Sequence, residues 1–94
     1  MGIEFDPAKS EWNEKLRGIS FAVAGRFEWR TAMVIADTRR DYGEPRFRAL
    51  GVIDGRLHSL VFTPRAEGVR VISLRRVNRR EVRRYEAQDR PGTD

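Results

Sequence analysis

Cysteine is absent from the 94 residues, which excludes disulfides, thiolate zinc sites and cysteine nucleophiles. Histidine occurs once, at position 58, so few side chains can move a proton near neutral pH. Long apolar runs are missing as well. The longest are about five residues, as in AMVIA (32–36), against the ~20 that a membrane-spanning helix requires. The opening MGIEFDPAKS has neither a charged n-region nor an apolar core, so no signal peptide is expected and the default expectation is a cytoplasmic protein. Lysine is nearly absent too: of nineteen basic residues only Lys9 and Lys15 are lysines.

What is present is arginine. The chain is 39% hydrophobic and 35% charged, a balance that suits one small globular domain with a highly charged surface rather than a disordered chain. The net charge is +5 and the pI about 10.7. Arginine carries a planar fork of five donors that suits phosphates and base edges better than an ammonium does. A basic balance points to nucleic acid or to an acidic protein partner.

Local signals divide the chain into elements. IEF (3–5) reads as a short strand. Asp6-Pro7 is an N-cap followed by proline at the first helical position, and Gly18 is a suitable C-terminal cap, so a helix is expected over 7–17. Trp12 and Leu16 fall on one face of it. A second helix is expected over about 20–28, capped by Ser20, with Phe21, Ala24 and Phe27 aligned. Strands are expected at 31–38, 46–53, 56–63 and 69–75, with a strong hairpin signal at Asp54-Gly55 and a turn at 64–68. Asn78-Arg-Arg-Glu81 matches a capping box that starts a terminal helix. The pattern predicts an α+β domain over 1–86: a short N-terminal strand and a four-stranded antiparallel meander, packed by two N-terminal helices and one C-terminal helix. Residues 87–94 read as a flexible tail.

Seven of the sixteen residues from Arg70 to Tyr85 are arginine. On a helical wheel, Arg76, Arg79, Arg80, Arg83 and Arg84 share one arc, and Val77, Glu81, Tyr85 and Val82 the opposite one. Glu81 therefore faces inward, where an unpaired carboxylate would cost several kcal/mol. It closes the capping box or pairs with Arg46, Arg48, Arg70 or Arg75, or it orients reactive arginines or acts as a base, and the structural and catalytic roles can coexist. The outward stripe serves as a solvated face, an RNA contact or a contact for an acidic partner.

Four stretches together resemble the BrnT toxin family of type II toxin–antitoxin modules: FDPAKSEWN (5–13), GISFAVAGRF (18–27), RFRALGVIDGRLHSLVFTPR (46–65) and RVISLRRVNRREVRRY (70–85). The likeness spans about residues 3–86. It implies a RelE-like fold and a metal-independent endoribonuclease, without cofactor, that inhibits translation. It also implies a BrnA-type ribbon-helix-helix antitoxin that neutralises the toxin and represses the shared operon, so operator DNA is met only through the antitoxin. One departure stands out. Where the family has Lys-His-Gly, this chain has Leu16-Arg17-Gly18, so a reduced activity, or a toxin acting mainly by binding RNA or antitoxin, becomes the alternative.

A metal-free ribonuclease must activate a 2′-OH, stabilise charge on the phosphorus oxygens and protonate the leaving 5′-oxygen. Arginine suits the second task but stays protonated at any working pH. Arg46 and Arg75 are the expected catalytic cations, with Glu81 as a candidate base and Tyr85 or Lys15 as candidate acids. Lys9, Lys15, Arg17, Arg70, Arg79 and Arg80 are the expected RNA contacts. Arg70 is also expected to pair across to a carboxylate. Arg70 and Arg75 differ in parity, so an ideal strand could not show both on one face. His58 is a further candidate acid, but it reads better as a half-exposed strand residue without a role.

Overall fold

The structure, a computed structural model, describes residues 2–88. Its strands are β1 (Gly2–Glu4), β2 (Met33–Ala36), β3 (Phe47–Ile53), β4 (Arg56–Arg65) and β5 (Gly68–Arg76). They form one sheet in the order β1-β5-β4-β3-β2. Two α-helices, α1 (Pro7–Arg17) and α2 (Arg79–Gln88), and two 3-10 helices, Phe21–Arg26 and Trp29–Thr31, complete the fold. The expected α+β class and antiparallel meander are present. The N-terminal strand differs from the rest, because β1 runs parallel to β5. Their approach depends on Gly68, where a Cβ would overlap the Gly2 carbonyl.

Turn chemistry sets the meander. Asp54 and Gly55 both take positive φ, 50° and 80°, as a type I′ hairpin requires. The turn expected at 64–68 contracts to Ala66-Glu67, and β4 continues through Pro64 to Arg65. This is possible because β3 stops at Phe47, opposite Phe62. Pro64 thus lies beyond the doubly paired part of β4, where a missing N–H is tolerated.

The second expected helix is a 3-10 helix. Its buried residues Phe21 and Ala24, and Phe27 just beyond, recur every third position. That spacing forms one column at three residues per turn, and the tighter helix buries all three against the sheet. They pack with Ile19 on Ala49, Ile53, Leu60, Phe62, Val69, Val71 and Leu74. This core lies entirely on one face of the sheet.

Helix α1 docks through its polar side. Trp12 and Leu16 point outward, 62% and 59% exposed, while Ser10 and Asn13 are buried. The reason is that β1 pairs only with residues 68–70 of β5 and leaves the later part of that edge open. Asn13 Nδ2 donates to the Leu74 and Ile19 carbonyls, both at 2.9 Å. Ser10 Oγ accepts from the Phe21 N–H. Polar side chains face inward because the edge of β5 and the Ile19–Phe21 segment present backbone groups that need partners.

Helix α2 crosses the face opposite the core and runs to Gln88, so Ala87 and Gln88 belong to it. The rest of the expected tail, 89–94, lies outside the described residues. Among those residues no helix is long and apolar enough to cross a membrane.

Asn13→Ala removes both donors and leaves two carbonyls unpaired, so it should lower stability by about 2–3 kcal/mol in urea unfolding. A loss under about 0.5 kcal/mol would show that water replaces the side chain there.

Candidate functional site

The face opposite the core carries arginine. A β-bulge makes this possible: Val61 pairs with Ser73 but Phe62 with Val71, so Ile72 is an extra residue in β5. The shift corrects the parity expectation. Thr63, Val61 and Ser59 share one face of β4, and they pair with Arg70, Ser73 and Arg75 respectively. Arg70 and Arg75 therefore emerge on the same face. Arg48 and Leu50 of β3 join them, paired to Val61 and Ser59.

At one end of this face Arg75 meets α2. Its Nη1 and Nη2 donate to Oε1 and Oε2 of Glu81 at 2.9 and 2.8 Å, a two-pronged pair. Glu81 also closes the capping box: it accepts from the Asn78 N–H at 3.1 Å while its own N–H donates to Asn78 Oδ1 at 2.9 Å. Both structural roles weighed for Glu81 thus operate together, and among its four candidate partners the geometry selects Arg75. These bonds hold its carboxyl down to about 2, with Arg75 the largest cause and the Asn78 N–H and the Arg48 charge adding to it. Arg75 is pushed upward in return. Its Nε–H and second Nη2–H remain without a partner among the described residues.

Arg17 reaches the same place from α1, its Nη1 donating to Ser73 Oγ at 3.2 Å. Ser73 and Arg75 are two residues apart on one face, so Arg17 and Arg75 are neighbours. Arg48, which sequence reasoning weighed only as a partner for Glu81, is the residue it underrated. Its Nε is buried and has no hydrogen-bond partner. Alternation from Arg46 places Arg48 on the arginine-lined face and is the signal that could have found it.

The other expected residues separate. Arg70 pairs with Glu4 at 2.7 Å, the cross-strand carboxylate expected for it. Glu4 also meets Arg65 at 3.8 Å, Arg65 meets Glu44 at 3.8 Å, and Glu44 meets Arg46 at 3.9 Å. Arg46 lies at the far end of this ionic row, stacked 4.1 Å over the Tyr42 ring. Arg46 and Arg75 therefore occupy opposite ends of the face. Lys9 and Lys15 are exposed on α1, and Arg79, Arg80, Arg83 and Arg84 on α2. Tyr85 tethers α2, its hydroxyl donating to the Thr31 carbonyl at 2.7 Å.

His58 is a correction. It shares the core face with Leu60 and Phe62 as alternation requires, but it is only 5% exposed. It lines a recess together with Gly18, Ile19 and Val23. Its Nδ1–H donates to the Arg56 carbonyl at 2.8 Å, and burial lowers its pKa from the usual imidazole value. No imidazole reaches the arginine face. Among the described residues no group of three His, Cys, Asp or Glu side chains comes together as a metal site.

Fold and face define a small α+β protein whose sheet offers an arginine-lined surface, partly roofed by its own C-terminal helix. The chain belongs to the BrnT family. The family model, described as the ribonuclease toxin BrnT of type II toxin–antitoxin systems, matches residues 5–81 and so ends on the glutamate that holds Arg75. No curated protein matches the chain. Membership makes the protein a ribonuclease toxin of this kind, and the family type implies an antitoxin partner and an RNA target.

Glu81→Gln keeps a capping-box side chain but loses the charge. Because the folded-state pKa of Glu81 lies below its ordinary 4.5, the pair stabilises above that value and fades as pH falls toward about 2. The variant should be about 1–2 kcal/mol less stable at pH 7, a figure reduced because 37% of the Arg75 side chain is open to solvent. Thermal unfolding across pH 7 to 2 checks this: the gap between the two proteins should close at the acid end, and a constant gap would contradict the pairing.

Proposed function

We propose that the protein is a metal-independent endoribonuclease that cleaves RNA and so inhibits translation. The observation that carries this reading is the Arg75 fork, held by Glu81 on an arginine-lined face, in a chain that belongs to a ribonuclease toxin family. Two of the fork's N–H groups are taken by Glu81, and the Nε–H and second Nη2–H form a parallel pair suited to a phosphate. Arg17 adds a second cation beside it. In-line attack of a 2′-OH on the adjacent phosphorus breaks the bond to the 5′-oxygen and leaves a 2′,3′-cyclic phosphate. The charge that builds on the non-bridging oxygens is met by Arg75 and Arg17, already oriented and needing no reorganisation.

Proton transfer is the weaker part of this machinery. A carboxylate held at about 2 is a poor match for a base working near pH 7, so Glu81 positions Arg75. The Tyr85 proton is committed to Thr31, which makes Tyr85 an anchor for α2. Water therefore receives the 2′-OH proton and returns one to the leaving 5′-oxygen, while Lys15, two residues from Arg17 and so on another side of α1, contacts flanking RNA. Arg46 and Arg70 bind flanking phosphates along the face, and Lys9, Arg79 and Arg80 extend the track. A BrnA-like ribbon-helix-helix antitoxin neutralises the toxin in the cytoplasm, and operator DNA is contacted through the antitoxin alone.

A second reading has its own observation: His58 is buried on the opposite face and Arg17 occupies the position of the family's histidine. A toxin that binds RNA or antitoxin while cleaving weakly fits that arrangement.

Expression of the chain alone in a bacterial host separates the two. The ribonuclease reading expects growth arrest and fragmented RNA, with Arg75→Ala lowering cleavage by the purified protein about 10²–10³-fold. Normal growth and intact RNA at good soluble expression would leave only the binding reading.

A further inference from the structure

Beneath α2 the sheet leaves a cavity of about 230 Å³ lined by Met33, Ile35, Arg48, Leu50, Glu81 and Arg84. Its floor is apolar and level, because Met33 pairs with Leu50 and Ile35 with Arg48 across β2 and β3. The rim is polar: two guanidinium groups and one carboxylate. The volume falls below the ~300–1,000 Å³ of sites for drug-sized molecules, which suits a single flat ring system.

The rim's hydrogen-bonding capacity is only partly used. Arg48 Nε is buried without a partner, and Arg48 makes no hydrogen bond or ion pair among the described residues. A buried donor left unpaired costs free energy that a bound acceptor would recover. Glu81 Oε1 accepts two bonds, from Arg75 and from the Asn78 N–H, but Oε2 accepts only one. A carboxylate oxygen has two lone-pair positions, so Oε2 keeps one free. The cavity thus offers several donors and a single acceptor above an apolar floor.

Among the bases guanine matches that set. It presents adjacent acceptors at O6 and N7, the usual target of an arginine fork, and an amino donor for a carboxylate. Adenine sets a donor beside an acceptor on that edge, and the pyrimidines lack the second ring and its N7. We propose that the cavity beneath α2 is a base-recognition pocket that takes one guanine of the RNA chain. Glu81 belongs both to this pocket and to the Arg75 pair, so the recognised nucleotide lies next to the phosphate held by Arg75. The ligand class rests on the ribonuclease reading; the base preference rests on the pocket alone.

Calorimetric titration of the purified toxin with 3′-GMP, 3′-AMP, 3′-CMP, 3′-UMP and inorganic phosphate tests it at one fixed low salt concentration. The expected result is 3′-GMP binding about tenfold or more tightly than the other three, in line with one bidentate base contact. Arg48→Met should level the four nucleotides. Leu50→Phe, which fills the floor without altering any charge, should bring 3′-GMP down to the affinity of phosphate; if one variant fails to fold, the other still decides. Equal binding of all four nucleotides, or a guanine preference that survives the folded variants, overturns the proposal. Mapping of cleavage sites separates this from the parent reading. RNA cut with no regard to guanosine overturns the pocket and leaves the ribonuclease standing, whereas guanine-selective binding without any cleavage supports the pocket and overturns the ribonuclease.

Discussion

The two-pronged bond between Arg75 and Glu81 joins the sheet to α2, and most of the arginine face depends on it. It fixes the guanidinium in one orientation, so part of its donor set points away from the carboxylate. It brings the start of α2 down onto the strand that precedes it, and the reciprocal Asn78 cap completes that first turn. It also closes one side of the cavity between α2 and the sheet. A single ion pair of moderate exposure would contribute little to stability on its own. Here its geometric effect exceeds its energetic one, because a cation that is already oriented serves a phosphate better than a flexible one.

The two faces of the sheet are built on opposite principles. The core face is apolar and held by the 3-10 helix of Phe21–Arg26, with its three-residue column of Phe21, Ala24 and Phe27. The other face is ionic, with glutamates interleaved among arginines from Arg70 through Glu4, Arg65 and Glu44 to Arg46. Those carboxylates keep like charges apart at one end. At the other end Arg17 and Arg75 stand with one glutamate between sheet and helix, and Arg48 has no partner among the described residues. The face thus carries a gradient from neutralised to uncompensated arginine, and a phosphate chain gains most at the uncompensated end.

Much of the fold was legible because its signals are local. The Asp54-Gly55 hairpin, the Asp6-Pro7 helix start and the Asn78–Glu81 capping box each depend on neighbours in sequence, and each occurs where its residue types require. The illegible parts depend on distant contacts. Trp12 and Leu16 share one side of α1, but which side docks was decided by the open edge of β5, whose Leu74 carbonyl takes a donor from Asn13. His58 looked half-exposed, but the tertiary packing leaves it only 5% exposed. Arg75 and Glu81 were both singled out in the sequence, but that they pair with each other was not legible there.

By itself, the sequence determined the strand and helix inventory, the inward direction of Glu81 and the excess of arginine, since periodicity and capping chemistry act over a few residues. It also carried the motifs by which the chain belongs to the BrnT family. Only the tertiary structure decided which arginine Glu81 would hold, that Arg70 and Arg75 share a face, and that Arg46 lies far from both Arg75 and α2. For the facing of Arg75 the physical reason is the bulge at Ile72: one extra residue reverses the facing of every side chain beyond it in β5. Whether a strand takes up such a residue is settled by pairing with a neighbour, which the alternation of a single strand does not encode.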